Sequence, residues 1–100
     1  FKKDKETQIF SVQKEVENVI NIQNAQLSHH NIKTKIEGEN FKIDGYPNEF
    51  KQVILNLINN AKDAIILNKT KNGLIEIILD NKNRTITIKD NGGGIPKEIL

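Results

Sequence analysis

The stretch that most limits what this chain can fold into is Pro47–Leu67, PNEFKQVILNLINNAKDAIIL, whose spacing suits a single long helix with two differently employed faces. Successive residues of a helix turn by about 100°, so Asn56, Asn60 and Asp63 share one narrow stripe, which Glu49 and Gln52 extend toward the N-terminus. Phe50, Ile54, Leu57, Ala61, Ala64 and Ile65 form a broad apolar face beside it, as a helix packed on a core requires. Lys51 and Lys62 are placed on the remaining face, where they provide solubility. Solubility therefore does not explain the carboxamides, and the stripe asks for a separate explanation.

The rest of the chain supplies the partners of that helix. Pro47 suits the first helical position and Glu49 the first turn, after the Asp44-Gly45-Tyr46 turn. Ser11 is a candidate N-cap for an earlier helix of about four turns, with Val12, Val16, Val19, Ile20 and Leu27 at helical spacing and an end near Ser28. Residues 1–10 read as a linker or the tail of a preceding helix, and residues 11–100 as one folded unit. Asn31 to Glu37 and Phe41 to Ile43 alternate around the Gly38 turn and are expected to form two adjacent strands. After the polar Asn68 to Gly73 loop, Leu74 to Asp80 and Arg84 to Lys89 are rich in β-branched residues, and Asn81-Lys82-Asn83 between them makes a hairpin. Pro96 to Leu100 reads as the start of a further helix, so the sequence has the look of a piece of a longer protein.

Composition narrows the function classes. A net charge of +2, with Lys and Arg scattered among Asp and Glu except at Lys2, Lys3 and Lys5, gives no footprint for nucleic acid. Cysteine is absent, which excludes disulfides and thiolate metal sites. No apolar run approaches a membrane span and FKKDKETQ lacks the apolar core of a signal peptide, so a cytoplasmic domain without membrane contact is the default expectation. His29 and His30 suit the C-terminus of the first helix, and no acid or further His at ligand spacing accompanies them. The sequons at Asn68 and Asn83 carry no meaning without secretion.

Half of the six glycines fall in one run, Asp90-Asn91-Gly92-Gly93-Gly94-Ile95-Pro96. Three consecutive residues without a Cβ let a ligand approach the backbone, and Asp90 places an acceptor at the strand end where that opening begins. An Asn-rich helix, a loop, a hairpin and then Asp-x-Gly-x-Gly is the order found in the ATP-binding domain of sensor histidine kinases, which the chain resembles from about Ser11 to Leu100. The wider superfamily also holds gyrase-type topoisomerases, large heat-shock chaperones and mismatch-repair ATPases. Asn56-Leu57-Ile58-Asn59-Asn60-Ala61 resembles the N box and Asp90 to Gly94 the G1 box.

The resemblance implies an α/β (α+β) two-layer sandwich, a mixed β-sheet covered on one side by helices, in the Bergerat-type fold of these kinases and incomplete at its C-terminus. It implies a fragment of a two-component sensor histidine kinase, inactive by itself, whose full domain binds Mg-ATP and passes the γ-phosphoryl group to a His on an adjacent dimerisation domain. A response regulator would be the next partner and the full-length protein a homodimer, with room elsewhere for a membrane anchor. Among the residues, it implies that Asn60 ligates Mg²⁺ through its amide oxygen, a hard ligand suited to that cation. Asn56 would face the phosphates or a water, Asp90 would accept the adenine amine, Gly92 and Gly94 would admit base and ribose, and Asp63 would sit at the adenine end or orient a water. ATP-hydrolysing relatives carry a glutamate where this chain has Asn56, an amide that cannot act as general base, so transfer is favoured over hydrolysis.

Three departures stand out. Asp63 occupies the place of a common family Lys, with Lys62 on a different face; Tyr46 stands where a capping Asp is usual; and His29 and His30 do not match the phosphoacceptor motif. The alternatives within the resemblance are a serine-directed anti-sigma kinase or an ATPase, and outside it a noncatalytic nucleotide-binding or interaction module.

Overall fold

The computed structural model describes residues 6–99. In chain order the elements are β1 (Gln8–Ser11), α1 (Val12–His29), β2 (Ile32–Gly38), β3 (Lys42–Gly45), α2 (Pro47–Leu67), β4 (Gly73–Asp80), β5 (Thr85–Asp90) and β6 (Lys97–Ile99). Strands β2-β4-β5-β6 form a mixed sheet, with β2 parallel to β4 and the other pairs antiparallel. The two-layer α/β architecture expected from the sequence is therefore present. A separate two-stranded sheet, β1-β3, is added to it.

Helix α1 starts where three of its otherwise unpaired amides find acceptors. Lys14 N–H donates to Ser11 Oγ at 3.2 Å, Gln13 N–H to Asn40 Oδ1 at 2.9 Å and Val12 N–H to Phe41 O at 3.0 Å. It runs 18 residues, about five turns rather than four, burying Val12, Val16, Val19 and Leu27. Helix α2 has the bounds expected from Pro47 and Leu67, and Tyr46 gives it no side-chain cap. Its buried face is Ile54, Ile58, Ala61 and Ile65, with Leu57 and Ala64 half-buried. Strand β4 buries alternate residues Gly73, Ile75, Ile77 and Leu79, so its second apolar set, Leu74 and Ile78, lies half-covered on the outer face. Together with Ile86 and Ile88 of β5 these side chains make one core between helices and sheet.

Three sequence expectations are corrected. Strands β2 and β3 are not neighbours: β2 pairs with β4, and β3 pairs with β1 from Gln8↔Gly45 to Ser11↔Lys42. Gly38 explains this, since its φ of +95° turns the chain against the backbone of Leu79, after which Asn40 and Phe41 are taken up in capping α1. Residues 97–99 are not the first turn of a helix but strand β6, which occupies the free edge of β5 in the register Ile86↔Ile99 and Ile88↔Lys97. Of the segment read as a linker or helix tail, residues 1–5 lie outside the described residues, as does Leu100, while Gln8–Ser11 form strand β1. Phe10 seats that strand, its ring centroid 5.2 Å from that of Phe50.

The β4–β5 hairpin closes as expected, through Asp80, which accepts from Asn83 N–H at 3.0 Å and Asn83 Nδ2 at 2.9 Å. These hydrogen bonds from Asn83 hold the Asp80 carboxyl below its ordinary value. Arg84, at φ +56°, closes the turn; its guanidinium lies 4.9 Å from the Phe41 ring centroid and donates to Lys42 O. No helix among the described residues is long and apolar enough to cross a membrane.

Candidate functional site

Strand β5 delivers Asp90 to the end of the sheet, and the next four residues fold back over the C-terminal half of α2. Asp90 Oδ1 accepts from Gly92 N–H at 2.7 Å and from Gly94 N–H at 3.1 Å, an Asx-type turn made by one carboxylate oxygen. Oδ2 has no hydrogen-bond donor among the described residues, so one charged acceptor remains for a ligand. A Cβ on Gly94 would lie 2.5 Å from that Oδ2. The absence of a side chain at residue 94 thus keeps the carboxylate where it is.

Gly92 packs closely against α2. A Cβ there would lie 2.6 Å from Ile65 Cα and 2.7 Å from Ile65 N, so the space it leaves empty is filled by the backbone of α2. Gly92 brings the turn into contact with the helix, and Asn68 Nδ2 fastens it by donating to Gly92 O. Asn91 fastens the other side: its Oδ1 accepts from Leu74 N–H at 2.8 Å, its Nδ2 donates to Asn72 O at 3.0 Å, and its N–H donates to Leu74 O at 3.2 Å. Asn68 and Asn91 escaped the sequence reading because neither belongs to a periodic face. The only signal available was their position at the two ends of the polar loops.

Between the turn and the helix lies a small cavity of about 60 Å³ lined by Asn60, Asp90, Gly94, Lys97 and apolar side chains including Leu57 and Ile88. Asn60, Asp90 and Gly94 are therefore brought together from two elements. Asn56, one turn earlier, is exposed outside that lining, with its Oδ1 accepting from Gln52 Nε2 at 3.2 Å. Asp63 is exposed and also lies outside the lining. Lys97 is a lining residue that the sequence did not single out.

Residues 45–100, more than half the chain, match the family described as histidine kinase-, DNA gyrase B-, and HSP90-like ATPase. The chain belongs to this ATPase family. Sporulation kinase A of Bacillus subtilis (strain 168) is 37% identical over 71 residues, which cover 69% of this chain and 11% of that protein. The chain thus spans a small part of the relative it matches. Among solved structures it is similar to the catalytic domain of the histidine kinase ThkA, with a TM-score of 0.75 and 23% identity over 93% of this chain and 65% of that one. It is also similar to the mycobacterial sensor histidine kinase MprB, with a TM-score of 0.74 and 16% identity over 90% of this chain and 58% of that one. At these identities the structural likeness bears on the fold alone.

As a member of this ATPase family, the chain has a donor set whose chemistry fits an adenine nucleotide with Mg²⁺. The free Asp90 oxygen suits an amine donor, and the exposed Asn60 amide offers a hard neutral oxygen. No group of three or more His, Cys, Asp or Glu able to hold a metal occurs among the described residues. A cation at Asn60 would then draw its other ligands from phosphate and water, as Mg²⁺ commonly does. The cavity is far below the roughly 300 Å³ at which small-molecule sites begin.

Proposed function

We propose that this chain is the front portion of the ATP-binding catalytic domain of a two-component sensor histidine kinase. In the whole protein it binds Mg-ATP and passes the γ-phosphoryl group to a His on an adjacent dimerisation domain. The observation that carries the reading is the meeting of Asn60, Asp90 with its free Oδ2, and Gly94 at one cavity between α2 and the end of β5. Asp90 accepts the adenine amine; Asn60 supplies one oxygen to Mg²⁺; Gly94 leaves room beside the base. Gly92 supports the site by its contact with α2. Asn56 lies one helical turn from Asn60 and faces the phosphates or a water, and Asp63 extends the same stripe toward the adenine end.

Bound Mg²⁺ would neutralise phosphate charge. An amide at Asn56 cannot take a proton from water, so the chain favours transfer to a positioned nucleophile over hydrolysis. The relationship to sporulation kinase A supports the kinase branch over an ATPase or an anti-sigma kinase. A response regulator is the proposed downstream partner; one solved neighbour, ThkA, was crystallised with its response regulator TrrA. The whole protein is proposed to be a homodimer with this domain in the cytoplasm.

The test is nucleotide binding by the full-length protein, measured by calorimetry. Asp90→Asn, which removes the charge of the acceptor, is expected to weaken ATP by about tenfold or more, the loss of a charge-assisted hydrogen bond. Unchanged affinity would refute the adenine assignment. Asn60→Ala is expected to abolish the difference between affinity in Mg²⁺ and in a chelator, and a difference that survives would refute the metal assignment.

A further inference from the structure

A polyphosphate needs cationic partners, and the lysines of α2 and β5 are turned away from the cavity. Lys51 Nζ lies 3.6 Å from Glu15 Oε1, and Lys62 Nζ donates to Gln26 Oε1 at 2.8 Å. Both lysines, assigned to solubility on sequence grounds, in fact reach α1. Lys89 follows the buried Ile88 in β5, so it lies on the outer face of the sheet, where its Nζ is 3.9 Å from Glu76 Oε1. The amide stripe of α2 itself carries Asp63 and no cation.

Lys97 is placed differently. It lines the cavity together with Asn60, Asp90 and Gly94. Its β6 position is directly opposite Ile88, a core residue, which puts its side chain on the helix-covered face of the sheet. Among the described residues its ammonium group has no carboxylate at ion-pair distance. A cation in the lining is thus left without a protein counter-charge.

Register fixes where that cation stands along a bound nucleotide. Strand β5 and helix α2 run in the same direction: Gly92, just past the strand, abuts Ile65, while Ile88 meets Leu57 and Asn60 at the cavity. Going back from Asp90 to Ile88 covers about 7 Å of strand, and from Ile65 to Asn60 about 7.5 Å of helix. Lys97, opposite Ile88, therefore stands level with Asn60 and not with Asp90. A nucleotide with its amine on Asp90 and its metal at Asn60 extends in that direction, which brings its phosphates beside Lys97. We propose that Lys97 is a phosphate-binding residue of this site, its ammonium donating to polyphosphate oxygens, so that β6 supplies the positive charge that the α2 stripe lacks. The inference rests on the nucleotide reading above and adds the group that meets the phosphates.

Calorimetry on the full-length protein with ATP, ADP and adenosine, all in Mg²⁺, tests it. Lys97→Gln is expected to weaken ATP by about fivefold and ADP by less, and to leave adenosine at its wild-type affinity. Lys97→Arg, which keeps the charge, is expected to restore ATP binding. The ratio of ATP to adenosine affinity is the deciding quantity, because a partial loss of fold removes molecules from both measurements equally. A wild-type ratio in Lys97→Gln would overturn the proposal, whether both affinities are unchanged or both fall together. A wild-type protein that binds none of the three would overturn the nucleotide reading and this proposal with it. Where the wild type binds ATP and Asp90→Asn weakens ATP and adenosine alike, the nucleotide reading stands and the ratio in Lys97→Gln alone decides the role of Lys97.

Discussion

Gly92 and Gly94 stand two residues apart and are expected to respond to the same substitution in opposite ways. A methyl at Gly92 meets the backbone of Ile65, which cannot turn aside, so Gly92→Ala should cost about 3 kcal/mol of stability. A methyl at Gly94 meets the Asp90 carboxylate, which can rotate, so Gly94→Ala should leave stability nearly unchanged and weaken adenine nucleotides by about tenfold. Thermal denaturation and calorimetry on both variants read the contrast; equal loss of Tm in the two would refute it. The motif Asp-x-Gly-x-Gly was legible in the sequence because its spacing is unusual, but it did not distinguish a glycine that admits a helix from one that spares a carboxylate. That distinction lies in which element passes behind each Cα. The clamps made by Asn68 and Asn91 were hidden for the same reason, as hydrogen bonds between loops leave no periodic trace.

At the scale of elements, α2 was the easiest to read, since Pro47 marks its start and 3.6-residue periodicity runs its whole length. The apolar face was placed slightly off: Ile58 was omitted from it, yet is completely buried between sheet and helices. Truncation there should be expensive. Ile58→Ala is expected to destabilise the domain by about 2–5 kcal/mol through lost burial and the cavity left behind. Denaturant unfolding checks this, and a cost below about 1 kcal/mol would show that the helix can settle onto the sheet. The pairing of β2 and β3 misled because strands close in sequence usually pair, and here a left-handed Gly38 and the capping of α1 intervened. Strand β6 misled because a local Pro signal was outweighed by an open sheet edge with an apolar register.

For the whole molecule, the geometry of the cavity bears on what these 100 residues do alone. Sites for small ligands enclose most of the ligand surface, and the walls present here, one side of α2 and the turn after β5, enclose about 60 Å³. Under the proposed reading, Asp90 would accept the adenine amine and Asn60 would hold the metal, and the cavity encloses only that part of a nucleotide. Electrostatics cannot substitute for enclosure, because Lys97 is the one cationic residue in the lining and is itself exposed. Residues 1–100 on their own are therefore expected to bind Mg-ATP at least about a hundredfold more weakly than the full-length protein, a difference of about 2.8 kcal/mol. Calorimetry on the two proteins side by side measures it. Comparable affinity would mean that Asp90, Asn60 and Gly94 carry nearly all the recognition, and would move the weight of the site onto the α2–β5 corner.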